Sequence, residues 1–321
     1  MNNKIVIHVG FPKTATSFLQ KMIFPELKEV CYIGRPYTQE NEAFNTIQYA
    51  DRSLYSEALA QEEINRIVVQ AGNKNILISD ELFAGYGNYN FINRGQIAER
   101  FSRLMPNAEI VVFLRGQKDL ILSLYGQYLK MGWFSQALDD SFLSEPGSGF
   151  SLEEWESGKR QWTIQNRFIS HQSKLSTEHF RYSKLYELYS SLFKKVHVFL
   201  YEELKTNQQR SVERLVSIVS LGQSISLSHV VNKTINKSLS KKELHAKLWE
   251  NKFTNAVSSV RLRRLVATAM SKIKPDHHLE NETYVVKLLK KTAIFEDNQK
   301  LNEQYGLGME KYPEKYFEWH K

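Results

Sequence analysis

Short apolar runs alternate with longer amphipathic stretches through most of the first 220 residues. "KIVIHV" (4–9), "NILIS" (75–79), "AEIVVFLR" (108–115) and "KVHVFLY" (195–201) are apolar on both faces, which predicts buried strands. Between them the spacing predicts helices. "TSFLQKMIF" places Phe18, Leu19, Met22 and Ile23 on one face and stops at Pro25. Residues 57–72 and 118–132 end at glycine, and 94–105 close at Pro106. A further helix covers 208–222. Strands of this type alternating with helices predict an α/β fold, a P-loop-like parallel sheet covered on both sides. Ligands of such sheets sit beyond the carboxyl ends of the strands.

Two regions depart from the alternation. Residues 133–195 read as a helical, irregular insertion, with "SEPGSGFS" (144–151) as a loop. Residues 239–321 read as a helical C-terminal region without strands. Neither boundary resembles a linker, so residues 1–321 are expected to form a single domain.

Charge sharpens this picture at one place. The chain carries a net charge of +8, and between Lys233 and Lys291 there are 14 Lys/Arg against 5 Asp/Glu, while the rest holds 29 against 30. The excess is therefore local, and it predicts an anionic ligand, acidic acceptor or lipid surface near the C-terminus. Nucleic acid is not the expected partner. The single cysteine, Cys31, excludes an internal disulfide and a Cys-based metal cluster. With no run long enough to span a membrane and no export-type leader, a cytoplasmic location is expected.

The stretch after the first predicted strand is "GFPKTATS" (10–17). Gly10 permits a tight turn and Pro12 stiffens it. Thr14, Ala15, Thr16 and Ser17 lead into a helix whose first N–H groups lack backbone partners. The helix dipole and Lys13 add positive charge, so the stretch is suited to a phosphate. An N-cap alone would need neither the lysine nor Gly-Phe-Pro. The glycine spacing of GxxxxGK[ST] is absent, so ATP chemistry is not implied. Farther on, "RGQKDLILSLY" (115–125) begins with an arginine at the end of a buried strand, where a charge needs a partner. A guanidinium presents a planar fork to phosphate, and Ser123 follows about two helical turns later.

These two segments resemble the sulfotransferases that use 3′-phosphoadenosine-5′-phosphosulfate (PAPS). "IHVGFPKTATSFLQ" is similar to their 5′-phosphosulfate loop, close to PKTGTT. "RGQKDLILSLY" is similar to their 3′-phosphate motif, close to RNPxDxxxSxY, with Gly116-Gln117 in place of Asn-Pro, as in bacterial carbohydrate sulfotransferases. Ala15 stands where the family has glycine, and a negative φ is expected there. The resemblance spans mainly residues 4–130, and "VHVFLYEEL" (196–204) is similar to a later family strand. It implies PAPS as co-substrate, held by Lys13, Thr14, Ala15, Thr16, Ser17, Arg115 and Ser123, with no metal. It also implies a loop closing over the nucleotide, for which Lys237 and Ser238 are the candidates. The implied reaction moves a sulfuryl group to a hydroxyl of a carbohydrate or glycolipid.

Lys13 suits stabilisation of the leaving oxygen. For the base, Glu81 in "ILISDELFAG" lies just past a strand, and its position resembles that of the heparan-type base. Asp80 and His8 are its rivals. Arg35, Tyr86, Tyr89 and Phe91 are candidates to line an acceptor cleft. His171, His179, His277 and His278 lack ligand spacing. Two other classes fit less well: a nucleotide-dependent phosphotransferase, and a non-catalytic polyanion-binding protein using the basic C-terminal region. That same region could also support peripheral membrane association.

Overall fold

The computed structural model describes residues 3–87, 91–134, 138, 142–144, 175–220, 240–253, 259–273 and 278–319, together with the backbone of 163–165 and 168–170. Its centre is a five-stranded sheet of β1 (Ile5–Val9), β2 (Val30–Ile33), β3 (Asn75–Asp80), β4 (Glu109–Leu114) and β5 (Val196–Leu200). The order is β2-β3-β1-β4-β5 and every pair is parallel. In register, Val9 faces Asp80 on β3 and Val112 on β4. The side chains alternate between two cores. Ile7, Ile78, Ile110 and Val112 enter one, while Val6, Leu77, Val111 and Phe113 enter the other. That is the α/β architecture that the apolar runs predict.

β2 is the strand missing from the sequence reading. Its four residues sit at the sheet edge, and Cys31 and Tyr32 are only half buried, so no long apolar run marks it.

Helices cover both faces. α1 (Thr16–Phe18) continues as a π-helical segment, Leu19–Ile23, and a 3₁₀ turn, Phe24–Glu26. Together with α6 (Gln208–Val219) it lies over Val6 and Phe113. The opposite face carries α2 (Glu57–Ala71), α3 (Arg94–Leu104), α4 (Gln117–Met131) and α5 (Tyr182–Leu192). Ser56 caps α2 by accepting from Leu59 N–H, and Gly72 and Gly132 end α2 and α4 at φ of 58° and 74°.

Much of the insertion expected over 133–195 lies outside the described residues. Besides α5 the described part holds short strands: Leu143–Ser144 pairs with Leu175–Ser176, and Thr163–Gln165 pairs with Phe168–Ser170. Strands of two or three residues are too short to display a period of two.

The C-terminal region is helical: α7 (Lys241–Lys252), α8 (Val260–Ile273), α9 (His278–Leu289) and α10 (Ile294–Tyr305). It is tied to the sheet by buried polar contacts. Asn251 donates to the carbonyls of Leu129 and Phe134, both at 2.8 Å. Gln117 exchanges hydrogen bonds with Asn298 at 2.8 and 3.0 Å. The Gly116-Gln117 pair thereby acquires a packing reason. A Cβ on Gly116 would stand 2.8 Å from the Lys315 carbonyl oxygen, and Gln117 is fully buried against α10.

Candidate functional site

The segments following β1, β3, β4 and β5 meet at the carboxyl edge of the sheet, where the strand order reverses around β1. Gly10 begins the first of them. Its role is close approach rather than an unusual turn: a Cβ there would lie 2.7 Å from Glu81 Cα and 2.8 Å from Thr16 Cγ2. The loop after β1 is thus pressed against the start of the 81–84 turn.

Lys13 and Ala15 both adopt left-handed backbone, with φ of 62° and 67°. The negative φ expected at Ala15 is therefore corrected. Left-handed residues within a turn rotate successive N–H groups toward one concavity, an anion-binding arrangement. Each costs about 1–2 kcal/mol for a residue with a Cβ, and such strain collects at functional sites. The hydroxyls divide their roles. Thr14 Oγ1 donates to Phe11 O at 2.5 Å and so braces the loop. Thr16 is 4 % exposed, and its Oγ1 has no partner in the protein. Ser17 is half buried in the first turn of α1.

Arg115 reaches this loop from the end of β4. Its Nη1 donates to Lys13 O at 3.0 Å, and its guanidinium lies 4.6 Å from the Tyr201 ring centroid. Its buried Nε has no partner. Tyr182 donates its hydroxyl hydrogen to Arg115 O. Gly116 N–H donates to Glu202 Oε1 at 3.0 Å, which holds the strand end. Ser123 is half buried on α4, one turn beyond Asp119, which is paired with Lys315 at 2.8 Å.

Electrostatics link these groups. Burial lowers the pKa of Lys13; Glu81 acts in the opposite direction, while Arg115 and Lys130 add to the lowering. Lys130 was not among the residues singled out from the sequence. Its signal is legible afterwards: it lies seven residues after Ser123, on the same face of α4. Lys13 thus feels one favourable charge, Glu81, and two unfavourable ones, Arg115 and Lys130. Glu81 has its pKa raised, chiefly by burial, with Arg35 and Lys13 opposing.

The two rivals of Glu81 are engaged elsewhere. Asp80 is fully buried. Its Oδ1 accepts from Arg35 Nη2 at 2.6 Å, Arg35 Nε at 2.9 Å and Leu82 N–H at 2.9 Å, and its Oδ2 accepts from Thr38 at 2.5 Å. His8 lies between the Phe24 and Phe113 rings and contacts Ser79 Oγ at 2.8 Å. Burial lowers its pKa to about 3.

The expected acceptor cleft is only partly assembled. Arg35 is spent on Asp80. Phe91 is core, stacked on Phe11 at 5.8 Å and covered by the Arg94 guanidinium at 4.3 Å. Tyr86 lies against Tyr49 at 5.1 Å. Arg94 was also missed. It donates to Ala84 O at 2.8 Å, so it braces both Phe11 and the 81–84 turn. Tyr89, Lys237, Ser238, His171 and His277 lie outside the described residues. Among the described residues, no three His, Cys, Asp or Glu side chains gather as a metal site.

No protein-family model matches the chain, and no curated protein matches it. Solved structures resembling it include a sulfotransferase from Alicyclobacillus acidocaldarius, at 15 % identity and a TM-score of 0.45, covering 84 % of this chain and 96 % of that one. A second is mouse sulfotransferase SULT7A1 complexed with PAP, at 14 % identity and a TM-score of 0.33, covering 72 % and 64 %. A third is the sulfotransferase domain from the curacin biosynthetic pathway, at 11 % identity and a TM-score of 0.38, covering 73 % and 79 %.

Proposed function

We propose that the protein transfers the sulfuryl group of PAPS to a hydroxyl of a saccharide-bearing acceptor. One observation carries the reading. Two anion-binding segments separated by about a hundred residues of sequence meet through Arg115 Nη1 and Lys13 O at 3.0 Å, and each offers a buried donor without a protein acceptor, Arg115 Nε and Thr16 Oγ1. Leaving such a donor unpaired costs about 1–3 kcal/mol. An anion with two separated phosphate groups would satisfy both.

In this reading the loop N–H groups of residues 14–17 and Thr16 Oγ1 hold the 5′-phosphosulfate. Arg115 and Ser123 hold the 3′-phosphate. Lys13 stabilises charge on the bridging oxygen as the sulfur–oxygen bond breaks. Glu81 takes the proton of the acceptor hydroxyl as its oxygen bonds to sulfur. Arg94 and the Asp80–Arg35 pair hold the 81–84 turn.

The test is thermal stability with adenosine 3′,5′-bisphosphate, ATP and AMP. A ligand at a hundred times its Kd adds about 2.7 kcal/mol. For 321 residues this is a rise in Tm of about 4 °C. The bisphosphate is expected to give the largest rise. An equal or larger rise with magnesium ATP would favour phosphoryl transfer instead.

A further inference from the structure

Helix α8 has an outward face that nothing in the catalytic reading uses. α8 packs on α7, and on one side of it Ala267 is buried and Val266 and Met270 are half buried. On the other side Leu262 and Leu265 are 50 % and 69 % exposed, with Val260 48 % exposed at the start of the helix. Leu262, Leu265 and Ala269 share one ridge by helical spacing. Arg261 and Arg264 are exposed beside it. Arg264 has only a loose ion pair with Glu250, at 3.7 Å. Over its 14 residues α8 carries four basic residues and no acidic one.

The two properties together narrow the occupant. A second copy of the chain would place arginine against arginine, which opposes association. A plain polyanion would satisfy the arginines and leave the leucines in water. An anionic lipid surface accepts both: the leucines enter the acyl boundary while the guanidinium groups stay among the phosphates. We propose that α8 is an interfacial helix by which the protein docks on anionic lipid. The α7–α8 pair is anchored on α4, through Asn251 and the Leu129 carbonyl, and α4 carries Ser123 and Lys130. The surface does not depend on the sulfuryl-transfer reading, and its test needs no turnover.

The full chain is sedimented with phosphatidylcholine vesicles, with and without 30 mole per cent phosphatidylglycerol (about that fraction gives a strongly negative surface). Binding is expected only with phosphatidylglycerol, and weakened by salt. The Leu262→Ser/Leu265→Ser and Arg261→Gln/Arg264→Gln pairs are each expected to reduce partitioning about tenfold or more, since each arginine near the surface contributes about 1 kcal/mol. All four residues are exposed, so Tm and bisphosphate binding should be unchanged, which separates lost docking from lost folding. The proposal is overturned if the anionic vesicles are not bound. It is equally overturned if binding ignores the leucine pair, which would mark a plain polyanion surface. Sedimentation equilibrium showing a dimer dissolved by the leucine pair would assign the face to a second copy instead.

Discussion

Thr16→Val separates a ligand-binding hydroxyl from a structural one by opposite signs in two assays. Thr16 is 4 % exposed and its Oγ1 has no protein partner, while the glycine beside it leaves no room for a side chain that could supply one. A buried, unpaired hydroxyl costs about 1–3 kcal/mol. Valine removes that cost with little change in shape. With an unfolding entropy of about 0.7 kcal/mol/K for a chain of this length, the ligand-free Tm should rise by about 1.5–4 °C. In the complex, valine removes a hydrogen bond to a charged acceptor, which is worth about 1.5–3 kcal/mol. Affinity for adenosine 3′,5′-bisphosphate should therefore fall about 10- to 150-fold. The assays are a melting curve without ligand and calorimetric titration with it. A variant that melts lower and binds equally well would show the hydroxyl to be satisfied within the fold, and would refute its assignment to the anion.

Three further outcomes are expected. Glu81→Gln should reduce turnover about 10²–10⁴-fold while bisphosphate binding holds; because burial raises the carboxyl pKa above its ordinary 4.5, the stability from this group is fully present below that value and is lost as pH rises through the folded pKa. The variant should therefore melt higher at pH 7, and the gain should vanish at low pH. Asp80→Asn should lower Tm by about 2–4 °C, from about 1.5–3 kcal/mol of lost charged hydrogen bonds, with a smaller loss of turnover than Glu81→Gln; the reverse order in a steady-state assay would make Asp80 the base. His8, with a folded pKa of about 3 against the ordinary 6.5, contributes stability that is present above pH 6.5 and lost as pH falls toward 3, at about 1.4 kcal/mol per pH unit; urea titrations of a His8→Leu variant should lack that share of the slope.

The amino-acid sequence by itself determined the sheet and marked the two segments that are candidates for binding an anion. Long runs that are apolar on both faces can only be buried strands, and Gly10, Lys13 and Arg115 follow such runs directly, so topology alone sends them to one edge. It also marked the C-terminal region as helical, through its lack of strand-like runs. Other features depended on contacts between residues distant in the chain. The choice among Glu81, Asp80 and His8 follows from which groups are already hydrogen-bonded, and that is decided by Arg35, Thr38 and Ser79 arriving from elsewhere. The left-handed Ala15 runs against the local preference of a residue with a Cβ. Edge strand β2 and Lys130 were too short or too ordinary locally to be marked. Gly116 and Gln117 read as a departure from a motif, yet they fit residues 298 and 315, nearly two hundred positions away. Local pattern sets which faces are apolar; only close packing sets which polar atoms remain free to meet a ligand.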